Sequence, residues 1–326
     1  MSDDFSNRTC LVTGAAGFIG SHLAQGLLDL GCRVVGVDGL TDYYSSDLKL
    51  ANLNLLRARQ GWTFHQGRLE HLELERLADG IDIVFHLAAQ AGVRSSWGAD
   101  FGSYLSCNLL ATQRLLEVFR RRPLQSFVYA SSSSVYGRQP DGPMREDAAL
   151  FPVSPYGVTK AATEQLARSY WTAFGIPVVG LRYFTVYGPR QRPDMAFHKL
   201  LHAVAEAEEF PLYGDGMQQR DFTYISDAIA GTVAAARRGR PGEVYNIGGG
   251  TAVTLAQVLE LIAQLAGRTV RVRREAAAPG EMRRTLADVG KARRELGYAP
   301  ATALRDGLAA QWHWICEGVT AAAEAS

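Results

Sequence analysis

The chain opens with an apolar run, Thr9 to Thr13, that breaks into a glycine-rich stretch, Gly14 to Gly20, and then into helix-spaced apolar positions reaching about Leu30. A second short run, Arg33 to Asp38, follows. The alternation continues, with strands predicted at Ile81 to Leu87, Ser126 to Ala130 and Val178 to Phe184 and helices predicted at Tyr104 to Arg121 and Pro155 to Phe174. Strands apolar on both faces, separated by helical patterns, predict an α/β fold with a Rossmann-type doubly wound parallel sheet.

After Tyr187 the texture changes, as Gly188-Pro189, Arg192-Pro193 and Gly214-Asp215-Gly216 punctuate shorter pieces. A smaller mixed α/β lobe is expected there. The predicted division is a Rossmann domain over 1–186, with 217–246 returning to it, and a lobe assembled from 187–216 and 247–326. A helix from Ser226 to Arg237 and a strand from Glu243 to Ile247 would carry the return. The C-terminal part reads as helical around a short strand, Thr269 to Val272.

A hydrophobic share of 47% in 326 residues provides for a sizeable core and excludes disorder as the main state. Lys and Arg number 34 against 33 Asp and Glu, so no global field draws the chain to nucleic acid or an anionic membrane, and neither is expected as a partner. Only Lys49, Lys160, Lys199 and Lys291 are lysines, which makes each of them informative. The cysteines Cys10, Cys32, Cys107 and Cys316 are widely separated and lack metal-ligand spacing, so no metal is expected. The N-terminal MSDDFSNRTC has no apolar signal region, and no run approaches the roughly 18 apolar residues of a membrane span. A cytoplasmic location is the expectation.

Gly14, Gly17 and Gly20 stand between a strand and a helix, where glycine permits a tight turn and brings backbone N–H groups close to a pyrophosphate. Asp38 closes the next strand eighteen residues after Gly20, the place of an acid that holds an adenosine ribose. Its charge repels a 2′-phosphate and no arginine follows in Gly39-Leu40-Thr41, so NAD is expected rather than NADP. Ser154-Pro155-Tyr156 reads as a helix start, which sets Tyr156 and Lys160 one turn apart on one face. A nearby ammonium favours the phenolate, so Tyr156 is a candidate general base. The hydroxyls of Ser131 to Ser134 follow a strand, where α/β sheets present ligand-contacting loops.

Together, Gly14-x-x-Gly17-x-x-Gly20, the upstream serine and Tyr156-x-x-x-Lys160 resemble the extended short-chain dehydrogenase/reductase family nearly end to end. VDGLTDYY at Val37, HLAAQAGVR at His86, SSSSVYG at Ser131, RYFTVYGP at Arg182, RPDMA at Arg192 and RDFTYI at Arg220 resemble the UDP-glucuronate 4-epimerase branch of its nucleotide-sugar enzymes. The resemblance implies NAD held along Gly14, Gly17, Phe18, Ile19, Gly20, Asp38, Leu69, Leu87, Ala88 and Ala89, with Tyr156 and Lys160 at the nicotinamide ribose. It implies catalysis by Ser132, Tyr156 and Lys160 through a 4-keto sugar, with hydride returned to the opposite ring face, converting UDP-glucuronate to UDP-galacturonate.

For the UDP-sugar the resemblance implies contacts from Ser132, Ser133, Ser134 and Thr185 near the sugar and its carboxylate, and from Arg94, Arg192 and Arg220 near the sugar or diphosphate. Tyr213 and Glu281 are candidates for the uracil and the uridine ribose. Related dehydratases carry Asp-Glu where Ser133-Ser134 stand here, and related decarboxylases carry Glu at 134 and Asn at 185. Both features are missing. The family's acid at the adenine is also missing, because Arg68 occupies that position. The alternatives are a UDP-glucuronate decarboxylase, an epimerase for a neutral UDP-sugar, and a non-enzymatic NAD-sensing regulator. A homodimer is implied, through pairing of helices Tyr104 to Arg121 and Pro155 to Phe174.

Overall fold

The computed structural model describes residues 5–139, 142–276 and 282–324. Its first half runs β1 (Thr9–Thr13), α1 (Phe18–Asp29), β2 (Arg33–Asp38), α2 (Ser46–Arg57), β3 (Trp62–Gln66), α3 (Leu74–Leu77), β4 (Ile83–His86), α4 (Phe101–Tyr104), α5 (Ala111–Phe119) and β5 (Ser126–Ser132). There follow α6 (Pro155–Phe174), β6 (Val178–Tyr183), β7 (Thr185–Tyr187), α7 (Ala196–Ala205), β8 (Glu209–Tyr213), β9 (Gln219–Tyr224) and α8 (Ile225–Arg238). The chain ends with β10 (Val244–Ile247), β11 (Ala252–Thr254), α9 (Leu255–Ala266), β12 (Arg271–Glu275), α10 (Gly290–Leu296) and α11 (Leu304–Glu324).

Seven parallel strands form the main sheet in the order β3-β2-β1-β4-β5-β6-β10, and the order reverses between β1 and β4. This is the doubly wound arrangement, whose switch point is where such sheets bind ligands. Its inner strands are buried on both faces, as β1, β4 and β6 are at every residue. Leu23, Leu27, Ile225 and Ala228 of α1 and α8 pack one face, while Leu115, Phe119, Ala167 and Tyr170 of α5 and α6 pack the other. A separate cluster of Phe197, Leu200, Leu201, Val258, Ile262 and Leu308 holds the lobe together.

The lobe contains a three-stranded sheet, β11-β9-β7, and the pair β12-β8. β10 pairs with β6 in the main sheet, and α8 packs in the core on that sheet. However, β9 pairs with β7 and β11, so the segment 219–224 joins the lobe sheet and not the main one. The short C-terminal strand lies at Arg271–Glu275, two to three residues beyond its expected place, because its register is set by β8. No helix among the described residues is long and apolar enough to cross a membrane.

The helix predicted over Tyr104 to Arg121 departs from its regular pattern at Leu105–Leu110, which form a π-helical segment. The extra residue per turn accommodates Asn108, whose side chain is buried and fully engaged. Its Nδ2 donates to Gln90 O at 3.1 Å and Thr159 Oγ1 at 3.0 Å, and its Oδ1 accepts from Gln90 N at 2.8 Å. Such bulges concentrate at functional sites. Here one carboxamide ties the segment after β4 to α6.

Candidate active site

A cavity of about 400 Å³ lies along the carboxyl ends of the main-sheet strands. At its β1 end, Gly14 has φ +71°, and a Cβ on Gly20 would stand 2.0 Å from Gly14 O. Only glycine permits that turn. The helix α1 that follows is preceded by Gly17 with no side chain capping it, and Gly17, Phe18, Ile19 and Gly20 line the cavity. A helix N-terminus without a side-chain cap presents backbone N–H groups and a positive dipole end, which suits a pyrophosphate.

Asp38 stands at the end of β2 in the same wall. Its carboxylate accepts from Ala16 N at 3.0 Å and Leu40 N at 2.8 Å, which fixes its orientation. Burial raises its pKa despite these donors and Lys49, so desolvation prevails over hydrogen bonding. Leu69, Leu87, Ala88 and Ala89 complete this half of the lining. An uncapped helix start, a turn closed to any Cβ and a carboxylate at the adjoining strand end fit a dinucleotide.

At the β5 end, Ser154 Oγ accepts from Gly157 N at 3.1 Å and Pro155 occupies the first turn, so α6 starts where the sequence places it. Tyr156 and Lys160 both line the cavity. Burial raises the Tyr156 pKa, while the Ser132 hydroxyl and the Arg192 charge act to lower it. The ammonium of Lys160 donates to Ala130 O at 2.8 Å. Burial pushes Lys160 down to about 8, with the Glu164 carboxylate opposing it. In this structure, therefore, the groups favouring the Tyr156 phenolate are Ser132 and Arg192, and the Lys160 ammonium is directed at a backbone carbonyl.

Ser132 ends β5 and its Oγ accepts from Ser134 N at 3.1 Å, which holds the short turn Ser133–Val135. Ser133, Ser134, Thr185 and Arg192 share the lining with Ser132. The Arg192 guanidinium meets Asp194 with Nε at 2.8 Å and Nη2 at 3.0 Å. Asp194 also accepts from Tyr43 Oη at 3.2 Å, and Tyr43 stands 3.4 Å from Ser95 Oγ, which in turn is 2.7 Å from Tyr104 Oη. The Tyr104 ring meets Tyr156 edge-on, with centroids 6.2 Å apart. This chain of polar groups ties the segments after β2, β4 and β7 together beside Tyr156.

The remaining expected contacts lie elsewhere. Arg94 and Tyr213 meet each other, the guanidinium 4.0 Å from the ring centroid, and neither lines the cavity. Arg220 lies on β9, also off the lining, with Nη1 donating to Gln219 O at 2.9 Å. Glu281 lies outside the described residues.

Several residues of the site were not singled out from sequence. His86, buried at the end of β4, bridges Thr13 Oγ1 at 2.8 Å and Thr112 Oγ1 at 2.9 Å, and burial beside Lys160 lowers its pKa to about 3. It is a neutral strut. Behind Ser132, Glu164 accepts from Ser131 and from Arg182 Nε at 2.9 Å and Nη2 at 2.8 Å in a buried pair. The only sequence signal for Glu164 is its position one turn beyond Lys160.

A nucleotide-binding sheet with a Tyr-Lys pair facing a glycine turn defines an NAD-dependent enzyme of the short-chain dehydrogenase/reductase type. The chain belongs to the NAD dependent epimerase/dehydratase family, whose model matches residues 10–248. It is 48% identical over 302 residues to an uncharacterized UDP-glucose epimerase, YtcB, of Bacillus subtilis, covering 91% of this chain and 95% of the relative. It is 35% identical over 314 residues to a UDP-glucuronate 4-epimerase of Thermodesulfobacterium geofontis, covering 95% of this chain and 96% of the relative. Among solved structures it is similar to the UDP-glucuronic acid 4-epimerase from Bacillus cereus in complex with UDP-glucuronic acid and NAD. The TM-score is 0.93 at 44% identity, over 95% of this chain and 99% of that one.

Proposed function

We propose that the chain is an NAD-dependent isomerase that epimerises UDP-glucuronate at C4 to UDP-galacturonate. The observation that carries this reading is the grouping in one cavity of Ser132, Tyr156 and Lys160 with hydroxyl donors Ser133, Ser134 and Thr185 and with the glycine turn and Asp38. The strong likeness to solved UDP-glucuronic acid 4-epimerases supports it.

In this reading the glycine turn, the α1 N-terminus, Asp38, Leu69 and Leu87 to Ala89 hold NAD. When bound there, NAD would supply the acceptor for the C4 hydride and the hydride that is returned. Tyr156 Oη accepts the proton of the sugar 4-hydroxyl as the C4–H bond breaks, which leaves a 4-ketone, and gives that proton back when the alcohol re-forms. Ser132 hydrogen-bonds the same oxygen. Lys160 holds the nicotinamide ribose, while the Ser132 hydroxyl and the Arg192 charge favour the Tyr156 phenolate. The ketone must turn over between the two transfers, so its grip on the protein has to lie mainly in the nucleotide.

The 4-ketone is β to the C6 carboxylate and loses carbon dioxide when the C5–C6 bond aligns with the carbonyl π system. Ser133, Ser134 and Thr185 fix the carboxylate out of that alignment, and no acid stands among these three positions to promote elimination. Arg94, Arg220, Tyr213 and Glu281 remain candidates for the nucleotide, and the division into a dinucleotide-binding domain and a sugar-nucleotide lobe follows the same reading. Incubation of the purified protein with UDP-glucuronate, followed by product NMR, tests it: UDP-galacturonate is expected, and a pentose as main product makes the chain a decarboxylase. A neutral UDP-sugar is the second reading, favoured by the 48% identity to a protein named as a UDP-glucose epimerase. Conversion of UDP-glucose faster than UDP-glucuronate would establish it.

A homodimer through the faces of the π segment and α6 accords with exposed Leu105, Leu110, Val158 and Phe174 on these helices. The free thiols of Cys10, Cys32, Cys107 and Cys316 accord with a cytoplasmic location.

A further inference from the structure

At the β2–β3 end of the cavity, far along the sheet order from Ser132, stand Arg68, Glu70 and Cys107. None of them has a part in the chemistry described above. Arg68 occupies the position where an acid is expected against the adenine, so this chain must complete that end of the site differently.

The guanidinium of Arg68 is fixed along one edge. Its Nε and Nη2 stand 3.0 and 2.6 Å from Glu70 Oε1, and Nη2 lies 3.5 Å from Cys107 Sγ. Glu70 is itself anchored, with its side chain only 5% exposed and Oε1 also accepting from Ser106 Oγ at 3.0 Å. Burial alone would raise the Glu70 pKa, but its backbone N–H, Arg68 and Ser106 together hold it below the usual value. The carboxylate oxygen is thus saturated by donors of the protein. The Arg68 side chain, by contrast, is 39% exposed.

The arginine stem lies over Gly39, the residue directly after Asp38. A Cβ at Gly39 would come within 2.9 Å of Arg68 Cγ, so the absence of a side chain there makes room for the arginine. A guanidinium whose edge is bound by a carboxylate retains its flat faces for a planar ring, and stacking on heteroaromatic rings distinguishes arginine from lysine. Pairing with Glu70 also offsets its charge beside Asp38, so the platform does not invite a 2′-phosphate.

We propose that Arg68, pinned by Glu70, is the adenine platform of this chain, binding the base through its guanidinium plane in place of a carboxylate hydrogen bond. The proposal rests on the reading that this cavity holds NAD. The test measures dissociation constants of the whole protein, stripped of bound nucleotide, for NAD, AMP and nicotinamide mononucleotide by calorimetry. Circular dichroism confirms that each variant is folded.

Arg68→Ala is expected to weaken NAD and AMP by about tenfold, the scale of a partly desolvated cation–π contact, and to leave nicotinamide mononucleotide unchanged. Arg68→Lys, which keeps the charge and loses the plane, is expected to fail to restore binding. Glu70→Gln, which frees the guanidinium, is expected to weaken AMP by a smaller factor. Unchanged AMP affinity in Arg68→Ala, or full recovery in Arg68→Lys, overturns the proposal. Asp38→Ala separates it from the cofactor reading: if that variant loses NAD while Arg68→Ala does not, the platform alone is wrong. If neither loses NAD, the placement of the dinucleotide fails as well.

Discussion

The Asn108 carboxamide donates to Thr159 Oγ1 at 3.0 Å across fifty-one residues of sequence, and Thr159 stands on α6 between Tyr156 and Lys160. The same Nδ2 and its partner oxygen close both backbone bonds of Gln90, beyond the end of β4. One side chain therefore sets the distance between the helix bearing Tyr156 and Lys160 and the strand end beneath the cavity. Asn108→Ala leaves the part-buried backbone N–H and C=O of Gln90 without these bonds, while Thr159 Oγ1 keeps its bond to Tyr156 O, at a cost of about 1–3 kcal/mol. A lower melting temperature together with a lower kcat is expected, as measured by calorimetry and product NMR.

Tyr156 is the proton acceptor and donor of the proposed cycle. Tyr156→Phe is expected to reduce kcat by about a hundred- to ten-thousandfold, with NAD binding retained because the glycine turn and Asp38 are untouched. Undiminished epimerisation by that variant rules out the scheme.

Lys160 carries the pH dependence. Its pKa is pushed down to about 8 by burial, so it gives up its proton earlier on raising the pH than an exposed lysine does. Activity that needs the ammonium is therefore expected to fall as pH rises through about 8. Stability moves the other way: between about 8 and the ordinary lysine value the unfolded chain binds a proton that the folded one has released, so folding is favoured as pH rises over that window. A pH–rate profile for the parent and for Lys160→Met checks the first part, since the variant should lack the alkaline limb.

Thr185 and Ser134 are expected to guard the carboxylate. Thr185→Ala should raise the proportion of pentose to hexuronate products, read from NMR of the same reaction, and an unchanged proportion removes Thr185 from that role.

Asp38→Asn removes a charge that repels a 2′-phosphate. Like charges in contact cost several kcal/mol, so NADP affinity is expected to rise by about tenfold or more, measured by calorimetry against NAD.

Much of this was legible because it is local. The all-buried strands β1, β4 and β6 read as continuous apolar runs, the glycine turn needs only residues 14–20, and Tyr156 and Lys160 are one helical turn apart. What escaped depends on partners distant in sequence. Tyr43 and Asp194 meet across 151 residues, and Glu164 is explained by Arg182 and Ser131 on neighbouring strands. The edge strand β3 is short and half exposed, so its pattern is weak. The helix α2 scatters its leucines around its circumference, with Leu48, Leu50 and Leu55 exposed, and follows no single period. The placement of β9 depends on pairing with β7, which no spacing rule discloses.

Since all seven main-sheet strands run the same way, the strand ends that line the cavity gather at one rim of the sheet. Substrate preference can be rewritten by exchanging residues along that rim without loosening the slab beneath. Lesions along the opposite rim are expected to appear as lost protein yield, with the surviving molecules turning over at the parent's pace.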